Sequence, residues 1–119
     1  MKKVLIVEDH PDMRMLLRLE LERMGFESIT AENGKEGVAR ALSEKPDLVL
    51  LDILMPVMDG LETVRTLRAN SATKDIPILA ATALSGQTDL NRCLQAGCND
   101  YLVKPFTYRD LEKKLRSFI

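Results

Sequence analysis

Apolar residues follow two alternating rhythms along this chain. Short unbroken runs are separated by longer stretches in which apolar positions recur every three or four residues. VLIV (4–7), LVLL (48–51), Ile76 to Ala81 and Tyr101 to Val103 have the length of strands, and Ser28 to Ala31 is a weaker one. Unbroken apolar runs of this length predict strands buried on both faces. Met13, Leu17, Leu21 and Met24 share one face of a helix. It begins near Pro11, where a missing N–H costs nothing, and stops at Gly25. A second helix opens at Asn33 or Gly34, carries Val38, Ala41 and Leu42, and ends before Pro46. Asp59-Gly60 opens a third with Leu61, Val64 and Leu67; a fourth spans Gln87 to Ala96 and stops at Gly97; the last carries Leu111, Leu115 and Phe118. Pro77 suits an edge strand or the entry to a strand, where no ladder donor is required. Strand and helix thus alternate five times. This (βα)5 pattern predicts an α/β fold with a parallel sheet and helices on both faces. With no linker or low-complexity tract in view, residues 1–119 read as one domain.

Charge and composition narrow the partners. With 17 basic and 18 acidic residues the net charge is -1, which lacks the strong positive field of a free-standing nucleic-acid binder. No apolar run approaches the length of a membrane span. The first apolar run ends after four residues in Glu8-Asp9, too short for a signal peptide. The expectation is a cytoplasmic protein. Its two cysteines, Cys93 and Cys98, have neither zinc-site nor CxxC spacing and read as reduced, semi-buried thiols.

The chemistry lies just past the ends of the strands. Parallel strands all point one way, so Glu8-Asp9, Asp52, Thr82 and Lys104 gather at the carboxyl edge of the sheet, where open α/β folds bind ligands. Asp52 comes directly after four apolar residues, and a carboxylate so placed is costly to bury without a partner. Three clustered carboxylates repel one another and need a cation nearby. Lys104 is one candidate and a divalent metal the other. An all-oxygen donor set without His or Cys suits Mg²⁺. Mg²⁺, a lysine and a threonine hydroxyl around a carboxylate are parts that stabilise a phosphoryl group in transfer, and Asp52 can itself be the nucleophile.

VLIVEDHP, PDLVLLDILMPVMDG, ILAATA and DYLVKPF, in that order and each at an expected strand end, resemble the receiver domains of bacterial two-component response regulators over essentially the whole chain. The resemblance implies a doubly wound, flavodoxin-like three-layer sandwich with strand order 2-1-3-4-5, which sets the first and third strands side by side. It implies that Asp52 accepts a phosphoryl group from a histidine kinase's phosphohistidine. Glu8, Asp9, Asp52 and the Leu54 backbone carbonyl then hold Mg²⁺ or Mn²⁺, one of the acids through water. Thr82, Lys104 and the Ala83 N–H bind phosphate oxygens. Thr82 and Tyr101 form the switch, and Lys104-Pro105 is a cis bond. The implied partners are a sensor histidine kinase or phosphotransfer protein and an output domain or target, with a homodimer through the fourth helix, fifth strand and fifth helix.

Two enzyme classes fit less well. Aspartate-based phosphatases carry a second acid two residues after the nucleophile as general acid, and Leu54 stands there. A flavin carrier needs a Ser/Thr/Gly-rich phosphate loop after the first strand, and EDHPDM repels phosphate. A receiver-like docking module without phosphotransfer has no use for the complete acidic set. The chain is therefore expected to be a signalling switch whose only catalysis is its own phosphotransfer and slow autodephosphorylation. Apolar Leu54 and Leu84, flanking the approach of water, predict a long-lived phosphoryl group. Among lesser candidates, His10 reads as an exposed residue at the start of the first helix, Glu20 as a boundary residue, and Cys93 as helix packing.

Overall fold

The computed structural model describes residues 1–53, 60–83 and 86–119. Its elements run β1 (Lys3–Val7), α1 (Pro11–Arg23), β2 (Glu27–Ala31), α2 (Gly34–Glu44), β3 (Leu48–Asp52), α3 (Gly60–Ala69), β4 (Ile78–Thr82), α4 (Gln87–Ala96), β5 (Asp100–Val103) and α5 (Tyr108–Phe118). The five strands form one parallel sheet in the order β2-β1-β3-β4-β5. The predicted alternation and strand order both hold. No helix among the described residues is long and apolar enough to cross a membrane.

Strand residues alternate between the two faces, and the core divides accordingly. Val4, Ile6, Leu48, Leu50, Leu79, Ala81 and Leu102 pack with Leu17 and Leu21 of α1 and Leu111 and Leu115 of α5. Leu5, Val7, Val49, Leu51, Ile78 and Ala80 pack with Ala41, Val64, Leu67 and Cys93 of α2, α3 and α4. The helix ends obey local chemistry. Asn33 accepts from the Glu36 N–H as the N-cap of α2. Thr107 and Asp110 cap α5 reciprocally, the Thr107 N–H donating to Asp110 Oδ2 and the Asp110 N–H to Thr107 Oγ1, each at 3.0 Å; hydrogen bonding by Thr107, backbone first and side chain second, holds the Asp110 carboxyl below its usual range.

Three expectations shift. The fourth strand starts at Ile78, not Ile76, and includes Thr82. Pro77 sits just before it, and its carbonyl still accepts from the Val49 N–H. Leu42 does not join the core; α2 faces the sheet through Gly34, Gly37 and Ala41, which leaves Leu42 exposed at the helix flank. The cysteines are not semi-buried: both thiols are enclosed between α4 and the sheet. Burial, with a smaller contribution from Cys93, pushes the Cys98 thiol up to about 12. Leu54, Asp59 and Leu84 lie outside the described residues.

Candidate phosphoryl-transfer site

The alternation of side chains along the strands positions the site. Val4 and Ile6 of β1 face α1 and α5, and the same two-residue step carries on to Glu8 just past the strand end. Leu48 and Leu50 lead in the same way to Asp52, and Leu102 leads to Lys104. Glu8, Asp52 and Lys104 therefore emerge on one face of the sheet's carboxyl edge. Strands β1 and β3 are neighbours, with Val7 opposite Leu51, so the two acidic ends adjoin.

The distances bear this out. One carboxylate oxygen each from Glu8, Asp9 and Asp52 lies within 4.8 Å of the others. Glu8 is 2% exposed and Asp52 8% exposed. Lys104 Nζ donates to Glu8 Oε1 at 3.2 Å and lies 3.6 Å from Asp52 Oδ1. This is the partner that the buried aspartate requires. One lysine against three carboxylates leaves the cluster net negative. The cleft in front of it, about 440 Å³, is lined by these four residues with His10, Asp12, Met13 and Leu16. The donor set is entirely oxygen, two of the carboxylates are sequestered from water, and the residual charge is negative. These features fit a hard divalent cation such as Mg²⁺. Glu8 already serves two protein partners, because its Oε2 also accepts from the His10 N–H at 3.2 Å. A carboxylate so engaged suits a ligand that reaches the ion through water.

Thr82 lies on the other face of the sheet. Ile78 and Ala80 point toward the α2–α3–α4 side, and Thr82 continues that alternation, wholly buried. Tyr101, opposite Ala80 in the register, packs half-buried against the same cluster. The Lys104 N–H donates to the Thr82 carbonyl at 2.7 Å, which ties the two halves of the site through the backbone. Ala83, next along, is exposed at the edge. Lys104-Pro105 is cis, as expected. His10 is the exposed N-cap of α1, its Nδ1 accepting from the Met13 N–H at 3.4 Å. Glu20 is half-buried, and burial raises its carboxyl above the usual range against the pull of Arg23.

Two supporting residues escape a reading of the sequence. Arg14 Nη1 donates to the Glu8 carbonyl at 2.9 Å and to the Asp9 carbonyl at 3.4 Å, which holds the acidic loop over α1. Gly60 packs on the backbone of Asp52 and Ile53. A Cβ there would lie 2.4 Å from Ile53 Cα and 2.9 Å from the Asp52 carbonyl oxygen, and the Gly60 N–H donates to the Ile53 carbonyl at 2.9 Å. Only the Asp-Gly pair hinted at it, and that pair reads first as a helix start.

Known proteins place this geometry. A family model described as the response regulator receiver domain matches residues 4–116. The alkaline phosphatase synthesis transcriptional regulatory protein PhoP of Bacillus subtilis is 37% identical over 118 residues, 99% of this chain and 48% of its own. The phosphate regulon transcriptional regulatory protein PhoB of Pseudomonas aeruginosa is 36% identical, over 99% of this chain and 52% of its own. The chain thus spans about half the length of these curated relatives. Among solved structures, the Vibrio cholerae chemotaxis protein CheY4 superposes with a TM-score of 0.95 at 34% identity, covering 100% of this chain and 99% of its own. The receiver domain of the Pseudomonas aeruginosa sensor histidine kinase PA1611, solved with a magnesium ion coordinated in its active site cleft, gives 0.91 at 35% identity, covering 98% of this chain and 96% of its own. On a family match that runs nearly end to end and an acidic edge of this construction, the chain belongs to the response regulator receiver domains, the phosphorylation-activated switches of two-component signalling.

Proposed function

We propose that residues 1–119 work as one receiver unit in which Asp52 is the phosphoacceptor, and the observation that carries this reading is the position of Lys104 between Glu8 and Asp52. An Asp52 carboxylate oxygen attacks the phosphorus of a phosphohistidine on a sensor kinase or phosphotransfer protein. The new O–P bond forms as the P–N bond breaks. The electron pair of that bond stays on the imidazole nitrogen, which then takes up a proton. Asp9, Asp52, Glu8 and the Leu54 carbonyl are the groups that would hold Mg²⁺ or Mn²⁺. Bound there, the ion would supply positive charge that offsets the negative charge of the transferred group. Lys104 turns from Glu8 and Asp52 toward the transferred group and neutralises part of its charge. The Thr82 hydroxyl and the Ala83 N–H bind the remaining oxygens. The phosphoryl group adds nearly two negative charges and three acceptors. Thr82 satisfies one of these by moving toward it, which gives the Tyr101 ring room on the α4 side of the sheet.

The donor approaches over α1. Leu16 and Leu19 are 48% and 51% exposed. Met13, Leu16 and Lys104 border both the acidic cleft and the adjoining apolar groove that runs to Phe106. An apolar helix bearing the phosphohistidine fits a surface continuous with the nucleophile. The switched surface of α4, β5 and α5 then meets an output domain, a target or a second copy of the chain, in the cytoplasm. The test is labelling by acetyl phosphate with and without Mg²⁺. Wild type takes up one phosphoryl group only with the metal, and Asp52→Asn takes up none. Equal labelling of the variant removes Asp52 from the role. Replacing Asp9 with Ala is expected to weaken Mg²⁺ binding sharply, read by calorimetry without any phosphoryl donor.

A further inference from the structure

Among the described residues the two ends of α4 are held differently, and the difference centres on a residue far from Asp52. The N-terminal end lies at the phosphoryl edge. Its N-cap is Gly86, which has no side chain to offer the first turn. The C-terminal end lies at the opposite edge of the sheet and is fastened by Arg68, near the end of α3. Arg68 Nε donates to the Gly97 carbonyl at 2.9 Å. Nη1 donates to the Ile76 carbonyl at 2.7 Å and the Lys74 carbonyl at 2.9 Å, and Nη2 donates to Asn99 Oδ1 at 2.8 Å. Asn99 Oδ1 in turn accepts from the Ile78 N–H at 2.8 Å, and the Asn99 N–H donates to the Ile78 carbonyl at 2.9 Å. One guanidinium thus joins the end of α3, the loop before β4, the end of α4 and the start of β5. Packing reinforces it. Gly97 has φ 122°, and a Cβ there would lie 2.7 Å from Arg68 Cγ. The helix end is also closed locally, with the Cys98 N–H donating to the Cys93 carbonyl at 3.2 Å.

On these contacts we infer that Arg68 is a positioning residue of the switch: it pins the C-terminal end of α4, so that phosphorylation swings the helix about Gly97 with its displacement concentrated near Gly86. The inference rests on the switch proposed for Thr82 and Tyr101. A planar fork of five donors holds several backbone oxygens at fixed angles, which a lysine ammonium cannot reproduce. Burial lowers the Arg68 guanidinium from its usual range, against opposing contributions from Cys98 and Asp75, as expected for a cation committed to an interior bracket. The pinned end leaves the β5 backbone in place while the Thr82 and Tyr101 side chains rearrange.

Amide hydrogen exchange on the full chain with Mg²⁺, with and without beryllofluoride, tests this. In wild type the ligand-dependent change is expected at residues 86–92 and absent from residues 94–101. In Arg68→Lys, exchange at Gly97 to Asn99 is expected to quicken about tenfold, the loss of one charge-assisted hydrogen bond, and the ligand-dependent change to spread through Tyr101. A merely structural role would quicken exchange equally in both ligand states and leave their difference unchanged, which overturns the inference. Asn99→Ala gives an independent check if Arg68→Lys folds poorly. It removes the Asn99 Oδ1 that accepts from Arg68 and from the Ile78 N–H and leaves the Arg68 bonds to Gly97, Lys74 and Ile76 in place, so the change should reach Asn99 to Tyr101 yet spare residues 94–97; a wild-type pattern refutes the pivot. A wild-type change uniform along α4 also overturns the pivot alone, whereas no change anywhere on α4 overturns the switch itself.

Discussion

Asp52→Asn is expected both to abolish phosphorylation and to stabilise the protein when divalent cations are absent. The carboxylate oxygens of Glu8, Asp9 and Asp52 lie within 4.8 Å of one another. At that separation and an effective dielectric of about 20, each like-charge pair costs about 3.5 kcal/mol. Lys104, 3.6 Å from Asp52, returns about 4.6 kcal/mol on the same scale. Among these four charges Asp52 faces two repulsions against one attraction, a deficit of about 2 kcal/mol, which solvent around the exposed Asp9 and partly exposed Lys104 cuts to about 1 kcal/mol. Neutralising it should raise Tm by roughly 4 °C for a chain of this size. The assay is thermal unfolding by circular dichroism in a chelator, repeated across a Mg²⁺ titration. Mg²⁺ at ten times its dissociation constant adds about 1.4 kcal/mol to wild type and less to the variant, so the gap should close or invert. An Asp52→Asn protein that melts below wild type in chelator refutes the electrostatic account. Equal stabilisation of both proteins by Mg²⁺ puts the ion elsewhere.

Four further outcomes are expected. Gly60→Ala should cost about 2–3 kcal/mol by overpacking and slow acetyl phosphate labelling, because its Cβ displaces the backbone that carries Asp52; unchanged labelling would show that this contact does not aim the nucleophile. Leu16→Glu should slow transfer from a phosphorylated kinase and leave labelling by acetyl phosphate intact; equal slowing of both would place the defect in the chemistry and not in docking. Native Cys93 and Cys98 should resist iodoacetamide at pH 8 until urea is added, and native stability should fall as pH rises from about 9 toward about 12, since the folded protein keeps the Cys98 proton that the unfolded chain releases; rapid native alkylation counts against the enclosed thiols. Leu54→Asn or Leu84→Glu should shorten the phosphoryl lifetime, measured as loss of label at fixed Mg²⁺, and no acceleration in either would discard side-chain control of water.

The acidic edge was legible in the sequence because parallel strands impose order on it. Once VLIV and LVLL read as buried strands, Glu8, Asp9 and Asp52 had to emerge at one edge, and Lys104 joined them from the fifth strand by the same rule. The period of two along each strand places Thr82 on the opposite face from Asp52, which explains how one site addresses two sides of the sheet. Arg14, Arg68 and Gly60 were not legible, for a common reason. The arginines bind backbone carbonyls, and Gly60 is needed for its missing Cβ; none of this leaves a pattern of residue types. Leu42 misled because a helical period identifies a stripe but not its centre, and here small residues sit at the centre.

The division of the core by the sheet bears on how such a protein diversifies. Leu17 and Leu21 beneath the α1 surface belong to one apolar cluster; Leu67, Cys93 and the Arg68 bracket beside α4 belong with the other. Five hydrogen-bonded strands stand between them. Substitutions in well-separated clusters add almost independently, to within about 0.5 kcal/mol. Lineages can therefore retune the α1 side of the sheet, proposed to meet the donor, while the α4 side stays intact, and the reverse; α5 shares the core of α1 and changes with it. Within one small fold, the two sides of the sheet are free to evolve on separate schedules, with the strand ends at Glu8, Asp52, Thr82 and Lys104 as the shared inheritance.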